Sequence, residues 1–218
     1  MFFGTRGKRI LGAILAGFCV LTSGCAQASA AQAEYVLGTV CSINLYDKGS
    51  TRLYRNIFNR FREIEGRMSA NLEGTELEKI NAQAGIAPVK VPDDLIGVLL
   101  RARHFAEISG GAFDPTIGPL VKLWNIGFEG AKVPSEEEIN QALPLINWRD
   151  LVIDQDAGTV FLARPGMCLD IGGIAKGYAA DEAVRIIQRA GIPRAIVDLG
   201  GNIFAYGVKE GDQPWRVG

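Results

Sequence analysis

"CLDIGGIAKGYAADEA", residues 168–183, joins a short apolar run to a helical pattern through two adjacent glycines. Gly172 and Gly173 can adopt positive φ and let backbone amides approach a ligand closely. The first turn of the following helix offers unpaired N–H groups and the positive end of the helix dipole. Lys176 adds a positive charge, and Asp170 can hold a hydroxyl, a ribose or a ring nitrogen. The stretch therefore predicts an anion site, with a purely steric strand-to-helix turn as the alternative.

Other common catalytic patterns are absent from the sequence. The glycine spacing fits neither G-x-x-x-x-G-K-[ST] nor G-x-G-x-x-G, which disfavours a Walker P-loop and a dinucleotide fingerprint. The single histidine, His104, lies in no recognisable Ser-His-Asp or Cys-His pattern. We find no paired carboxylates at helical spacing for a metal. His104 itself lies beside the apolar stripe of a predicted helix and is interpreted as a structural or surface residue.

Strand and helix patterns surround this stretch on both sides. A hairpin is predicted over residues 151–166, and a strand, a glycine turn and a second strand over 194–207. Between them, a helix carries Ala180, Val184, Ile187 and Ala190 on one face and ends at Gly191.

The first half of the chain also mixes strand and helix patterns. Residues 35–47 predict one strand, and the apolar spacing from Arg52 predicts a helix. A longer helix is predicted to begin at Pro92. The predicted buried face of this helix consists of Leu95, Val98, Leu99, Ala102, Phe105 and Ile108. Two short helices are predicted at stretches with capping-box spacing. Residues 110–128 show neither the helical nor the strand period, which predicts an irregular loop. This order favours an α+β fold, with a mixed sheet and packed helices, over a doubly wound sheet.

Composition limits the class of protein. A chain of 218 residues with 48% apolar residues is long enough for one domain with a full core. The formal net charge of −1 provides no basic field, so we expect no nucleic-acid partner.

Residues 1–30 have the features of an export signal, with a cationic head, an apolar run of about a dozen residues and a small-residue end. "LTSGC" resembles the lipobox of bacterial lipoproteins, which would make Cys25 the lipidated first residue. Cleavage after one of the small residues at 26–30 is the alternative and would release a soluble protein. We therefore expect an exported protein, either an inner-membrane lipoprotein facing the periplasm or a soluble periplasmic protein.

Two cysteines remain once the signal and the candidate lipid-bearing Cys25 are set aside, and a few further residues are candidates for ligand contact. Cys41 and Cys168 are interpreted as small buried hydrophobic residues, with a single disulfide as the alternative. Asp114 precedes a proline, which favours an extended presentation of its carboxylate; a turn or cap is the alternative. Trp124 and Phe128 can stack on a flat ring or belong to the core.

Five motifs in order make a more specific signal. "LGTVCSINLY", "MSANLEGTELEKIN", "GGAFDPTIGPLVKLW", "LDIGGIAKGYAADEA" and "AIVDLGGNIFAYG" resemble the ApbE family of FAD:protein FMN transferases, from about Tyr35 to the last residue. The resemblance implies an ApbE-like, T-fold-related architecture that binds FAD and Mg²⁺. It also implies transfer of FMN to a threonine or serine hydroxyl of an acceptor protein, with AMP leaving.

The resemblance also implies particular contacts. Gly173 corresponds to a position whose backbone carbonyl binds the metal. The residues that correspond to FAD contacts are Leu37, Asn71, Ala112, Phe113, Asp114, Asp170 and Lys176. At Asn71 the family commonly has an aromatic residue.

Members of the family continue beyond the equivalent of residue 218 with further metal ligands. We therefore expect residues 31–218 to form an incomplete domain with weak FAD affinity and impaired catalysis. Two alternatives are an FAD-binding lipoprotein without transferase activity and an FAD pyrophosphatase that produces FMN and AMP.

Overall fold

The computed structural model describes residues 31–46 and 49–218. The predicted export segment, including Cys25, lies outside these residues. The α+β class is confirmed, with seven strands and six α-helices in the described part of the chain. In chain order they are β1 Gln32–Val36, β2 Thr39–Leu45, α1 Thr51–Met68, α2 Glu76–Ala82, β3 Val89–Lys90, α3 Asp93–Ile108, α4 Gly118–Trp124, α5 Glu136–Ala142, β4 Leu151–Asp154, β5 Thr159–Leu162, α6 Gly172–Arg189, β6 Ala195–Leu199 and β7 Asn202–Tyr206.

The strands form two sheets, where the sequence suggested one mixed sheet. The larger has the order β1-β2-β6-β7, and the smaller has the order β3-β5-β4. Every pair of these strands is antiparallel. A parallel bridge between Ile117 and Cys168 lies outside the named strands. It joins the loop before α4 to the segment that leads into α6.

Residues 35–47 do not form the single strand that we predicted. The chain reverses at Leu37 and Gly38, so that β1 and β2 form a hairpin. Both turn residues have positive φ, 58° and 67°, as a type I′ turn requires. A leucine in this conformation is uncommon, which is why the residue pattern did not indicate the turn.

The longer helices begin and end close to the predicted positions. Ser50 caps α1 with its side chain, and Gly191, with a φ of 69°, follows the end of α6. On α3, however, Phe105 and Ile108 are exposed, whereas Ala106 is buried. The predicted stripe was therefore wrong in its last turn, because periodicity does not show whether another element covers a face. Ala190 is also exposed and lies beyond the last residue of α6.

The core lies between the larger sheet and the helices α1 and α6. It is closed by the apolar faces of α2 and α3 and by the smaller sheet. Its largest fully buried side chains include Phe58, Phe61, Ile43, Leu45, Leu95, Leu99 and Leu162. Burial on this scale stabilises the fold by about 25 cal/mol for each Å² of apolar surface removed from water.

The predicted irregular loop over residues 110–128 contains the helix α4, which is a further correction. Pro119 occupies its first turn and Asn125 ends it with a left-handed backbone. Seven residues are too few to establish a helical period, so the sequence pattern missed it. Within residues 31–46 and 49–218, no helix is long and apolar enough to cross a membrane.

Candidate active site

A cavity of about 520 Å³ brings together four of the seven predicted FAD contacts. It lies between the first hairpin turn, the end of α1, the loops at 69–72 and 126–128, and the first turns of α6. Among the predicted FAD contacts, Leu37, Asn71, Asp170 and Lys176 line it. Ala112, Phe113 and Asp114 do not. Residues of the cavity that the prediction missed include Tyr35, Glu65, Met68, Leu72 and Ile126.

The glycine pair lies inside α6 and not in a turn before it. Gly172 and Gly173 form its first turn with helical backbone, so neither uses the positive φ that glycine can adopt. A Cβ on Gly173 would lie 3.2 Å from the ring of Phe113. The Gly172 N–H donates to the Asp170 carboxylate at 2.8 Å. Gly173 thus allows Phe113 to approach the helix start closely, and Asp170 accepts the N–H of the first helical residue.

Lys176 lies one turn into α6, half-buried on the cavity wall. It makes no hydrogen bond and no ion pair within 4.0 Å to the residues that the structure describes. A half-buried ammonium without a paired carboxylate favours an anionic ligand. The N-terminal end of an 18-residue helix adds a positive partial charge at the same place.

Glu65 connects the first hairpin to α1. Its carboxylate accepts a hydrogen bond from the Gly38 N–H at 3.1 Å. This contact holds the turn against the end of α1 and places Leu37 on the cavity wall. Gly38 lies in the first motif and Glu65 lies outside the five motifs, so the motifs did not indicate the contact.

Asp114 organises the loop before α4. One carboxylate oxygen accepts hydrogen bonds from the Thr116 N–H at 2.8 Å and from its hydroxyl at 2.6 Å. The other accepts from the Trp148 N–H at 3.0 Å. The structure therefore gives Asp114 the turn-forming role that was left open above. Contacts of Asp114, Phe113 and the exposed Ala112 with FAD stay predictions.

Neither cysteine has the properties of a nucleophile. Both are buried and free, which confirms the interpretation as small hydrophobic residues. Burial raises the pKa of the Cys41 thiol to about 11, although the nearby Lys176 charge opposes this. Burial also raises the pKa of Cys168. Both thiols are therefore protonated near neutral pH.

The described residues contain no group of three or more His, Cys, Asp or Glu side chains that could hold a metal. His104 is exposed on α3, as expected for a surface residue. Beside the cavity, the Asp170 carboxylate and the Gly173 carbonyl are hard oxygen donors. Mg²⁺ usually binds one or two carboxylates together with substrate phosphates and water. These donors therefore fit Mg²⁺ in kind.

Comparison with known proteins identifies the family of this chain. The sequence profile of the ApbE family matches residues 37–218. The chain belongs to the ApbE family. A Treponema pallidum protein named FAD:protein FMN transferase is 43% identical over 190 residues, which cover 83% of this chain and 52% of that protein. A Klebsiella pneumoniae protein of the same name is 32% identical over 183 residues, covering 84% and 56%.

Solved ApbE structures share the fold. The ApbE protein of Thermotoga maritima has a TM-score of 0.79 and 31% identity, covering 85% of this chain and 61% of that one. The flavin transferase ApbE of Vibrio cholerae has a TM-score of 0.79 and 27% identity, covering 86% and 62%. The chain spans about half the length of the curated relatives described above.

Asn81 is a further residue that the site prediction missed in this ApbE-family chain. From α2, its amide nitrogen donates to the Leu169 carbonyl at 3.1 Å, and its amide oxygen accepts from the Leu169 N–H at 2.7 Å. The next residue, Asp170, donates its own N–H to the Pro115 carbonyl at 2.9 Å. Asn81 thus holds the segment that presents Asp170 to the cavity.

Replacing Asn81 with aspartate should lower the free energy of unfolding at neutral pH by about 2 kcal/mol. The introduced carboxylate can still accept a hydrogen bond from the Leu169 N–H. Its second oxygen, however, lies where the amide donated to the Leu169 carbonyl, so two acceptors face each other. The loss of unfolding free energy, measured against the unaltered chain at the same pH, should become smaller in acid. The protonated carboxyl can then donate a hydrogen bond to the Leu169 carbonyl. Urea unfolding measures both effects. Asn59→Asp on the exposed face of α1 is the control, expected within about 0.5 kcal/mol. A loss at Asn81 that did not change with pH would contradict the role of its amide as a donor.

Proposed function

We propose that this protein transfers the FMN half of FAD to a threonine or serine hydroxyl of an acceptor protein and releases AMP. Two relatives that carry the name FAD:protein FMN transferase support the proposal. The observation that carries it is the position of Lys176. This half-buried cation, without an ion pair among the described residues, shares its cavity with Asp170 and Gly172 at the start of α6.

The chain's own residues would bind and orient the dinucleotide. The start of α6 and Lys176 would hold the diphosphate, since a helix N-terminus and an ammonium both favour negative charge. Asp170 uses one carboxylate oxygen to cap the helix, which leaves the other for a hydroxyl or ring nitrogen of the ligand. The apolar part of the cavity, which includes Leu37 and Met68, would exclude water from the ligand.

The proposed reaction exchanges one bond to phosphorus for another. The acceptor oxygen bonds to the phosphorus of the FMN half, and the bond from that phosphorus to the bridging oxygen breaks. AMP leaves with the electron pair of that bond, and the hydroxyl proton passes to a base or to water. The Gly173 carbonyl would be a ligand of Mg²⁺, which when bound would neutralise charge on the diphosphate.

Replacing Lys176 with methionine should weaken FAD binding roughly tenfold to a hundredfold, because one charge-assisted hydrogen bond contributes about 1.5–3 kcal/mol. Asp170→Ala should also weaken FAD binding, because it removes the hydrogen bond to the Gly172 N–H and the proposed contact with the ligand. Titration followed by flavin fluorescence measures both affinities. Lys90→Met, at an exposed position outside the cavity, is the matched control. Equal affinity of the Lys176 and Lys90 variants would refute the assignment of Lys176.

The activity is tested by incubating the protein with FAD, Mg²⁺ and an acceptor protein that carries an exposed threonine. Mass spectrometry should detect an FMN adduct on the acceptor, and chromatography should detect an equal amount of AMP. Omission of the acceptor is the control. AMP with free FMN and no adduct would identify an FAD pyrophosphatase instead. Retention of FAD with neither product would identify an FAD-binding protein.

We also propose that the protein is exported and anchored by a lipid on Cys25, with soluble release as the alternative. The export pattern of residues 1–30 and the lipobox resemblance support this. Membrane fractionation of cells that express the unaltered chain or Cys25→Ala tests it. An unchanged distribution would exclude lipid anchoring through this cysteine.

A further inference from the structure

We propose that the end of the protein opposite the cavity of Lys176 lies on the anionic headgroups of a phospholipid membrane. We call it the basic end after its cationic residues, which are Arg52, Arg55, Arg189, Arg194, Lys209 and Arg216. The proposal rests on the proposed export of the chain and goes beyond it, because it states which end of the protein faces the membrane. The cavity then lies at the end away from the bilayer, where an acceptor protein can reach it.

Tertiary contacts bring the helices α1 and α6 and the strands β2 and β6 together at the basic end. Leu45, the last residue of β2, pairs with Ala195, the first residue of β6. The Tyr46 N–H donates to the Arg194 carbonyl at 3.4 Å. The Leu45 N–H donates to the Tyr54 hydroxyl at 3.2 Å, which places the first turns of α1 beside these strand ends. Arginines from separate parts of the chain therefore share one surface.

Residues 207–218 add aromatic and apolar side chains to the basic end. The Trp215 indole N–H donates to the Gly207 carbonyl at 2.8 Å, and the centroid of its ring lies 5.0 Å from that of Tyr46. The Lys209 ammonium lies 5.6 Å from the Trp215 centroid. The same segment exposes two apolar side chains, Val208 and Val217. Tryptophan and tyrosine combined with lysine and arginine suit the headgroup region, where an apolar body and a polar tip are both solvated.

Five cations of the basic end have no acidic partner among the residues that the structure describes. These exposed residues are Arg52, Arg55, Arg189, Lys209 and Arg216. Arg194 approaches Glu210 at 4.0 Å. The acidic residues of the segment 207–218 are Glu210 and Asp212, so cations are in excess at this end. Each lysine or arginine close to an anionic membrane strengthens binding roughly fivefold, which makes such an excess sufficient for peripheral attachment.

The basic end and the cavity lie at opposite ends of the two longest helices. The helix α1 begins with Thr51 at the basic end, and Glu65 in its last turn accepts from the Gly38 N–H at the cavity. The helix α6 runs the other way, from Gly172 in the cavity wall to Arg189. Each helix has 18 residues and is therefore about 27 Å long. A membrane that contacts the basic end thus leaves the cavity accessible.

The predicted lipid anchor precedes a strand that starts near the basic end. Cys25 lies seven positions before Gln32, the first residue of β1. Seven residues reach at most about 25 Å. Gln32 pairs with Ile43, two positions from Leu45, and β1 then runs toward the cavity turn at Leu37. A tether of this length brings the basic end to the membrane before the cavity end.

Vesicle binding of the full chain with Cys25→Ala tests the surface without a lipid on this cysteine. Vesicles of phosphatidylcholine are compared with vesicles of phosphatidylcholine and phosphatidylglycerol. The chain should bind the anionic vesicles at least about tenfold more strongly, and added salt should weaken this binding. Replacing both Arg52 and Arg55 with glutamine should weaken it roughly tenfold to thirtyfold. The matched control replaces two exposed cations outside the basic end, Lys90 and Arg101, with glutamine.

Tryptophan quenching tests which end faces the bilayer. Phosphatidylglycerol with brominated chains should quench the fluorescence of the bound chain, because bromine quenches tryptophans that enter the membrane surface. Trp215→Phe should remove most of this quenching. Trp124→Phe, at the end of α4, is the control and should leave it unchanged. Quenching that depended on Trp124 and not on Trp215 would place another surface on the membrane and overturn the inference.

The remaining outcomes separate this surface from the other proposals. Equal binding to both kinds of vesicle, unchanged by the two arginine substitutions, would overturn the surface and leave the lipid anchor and FMN transfer standing. Equal losses in the two double variants would reveal an effect of net charge alone and also overturn it. If the chain ignores the vesicles but the arginine variant modifies an acceptor protein less, the basic end binds the acceptor and the inference fails. The expected vesicle binding without an effect of Cys25→Ala on fractionation would refute the anchor alone and support the surface.

Discussion

Replacing Arg60 with methionine is expected to lower the free energy of unfolding by about 3 kcal/mol. Arg60 lies on α1, and its side chain is only 16% exposed. It donates to Asp94 of α3 at 3.0 Å, to Glu182 of α6 at 2.9 Å and to the Tyr178 hydroxyl at 2.8 Å. One guanidinium therefore joins three helices, and its removal leaves half-buried carboxylates without a full set of partners.

The ionisation of Arg60 shows how strongly these partners act on it. Burial by itself lowers the pKa of Arg60, but hydrogen bonds to Glu63, Asp94 and Glu182 outweigh it, so the pKa lies above its ordinary value. Arg60 therefore stays charged at every pH at which the protein is folded.

Urea unfolding of the Arg60→Met and Arg62→Met variants provides a matched comparison on one helix. Arg62 is 51% exposed and pairs with Glu34 at the surface. Exposed ion pairs contribute at most about 1 kcal/mol, so we expect a small loss at Arg62. Equal losses in the two variants would contradict a special role for the Arg60 network.

Replacing Gly118 with alanine is expected to lower the free energy of unfolding by about 3 kcal/mol, although a glycine in a helix usually gains from this change. A Cβ at this position would lie 2.5 Å from the Cys168 carbonyl oxygen and 2.7 Å from the Cys168 sulfur. The Gly118 N–H also donates to that carbonyl at 3.0 Å. Backbone must therefore move, and the segment that moves leads directly to Asp170.

Gly97→Ala is the control for this substitution. Gly97 lies inside α3, and no heavy atom lies within 4 Å of the position of an added Cβ. Alanine there should raise the free energy of unfolding by about 0.5–1 kcal/mol. Urea unfolding measures both variants, and flavin titration should show weaker binding only for Gly118→Ala. A stabilised Gly118→Ala variant would contradict the close approach of α4 to Cys168.

The sequence predicted most of the regular elements because their periods are local. The spacing of apolar residues in α1, the capping box of Ser135 and Glu138, and the two hairpins after residue 150 are confirmed. The hairpin turn at Leu37 was missed because a leucine does not indicate positive φ. The helix α4 was missed because it is too short to show a period. Phe105 was placed in the core because periodicity identifies a helix face but does not show whether another element packs against it.

Local sequence determined most of the longer helices, the two hairpins after residue 150, which stretch leads into α6, and which residues carry the family motifs. Tertiary structure decided which side chains meet. Asn81 contacts Leu169 across 88 positions, and Arg60 contacts Glu182 across 122. It also brought Tyr35 and Phe128 to the cavity of Lys176. Such contacts depend on how whole elements pack, and no local period or spacing records that packing. The physical reason is that burial selects the arrangement of elements, whereas local propensity selects only the elements themselves.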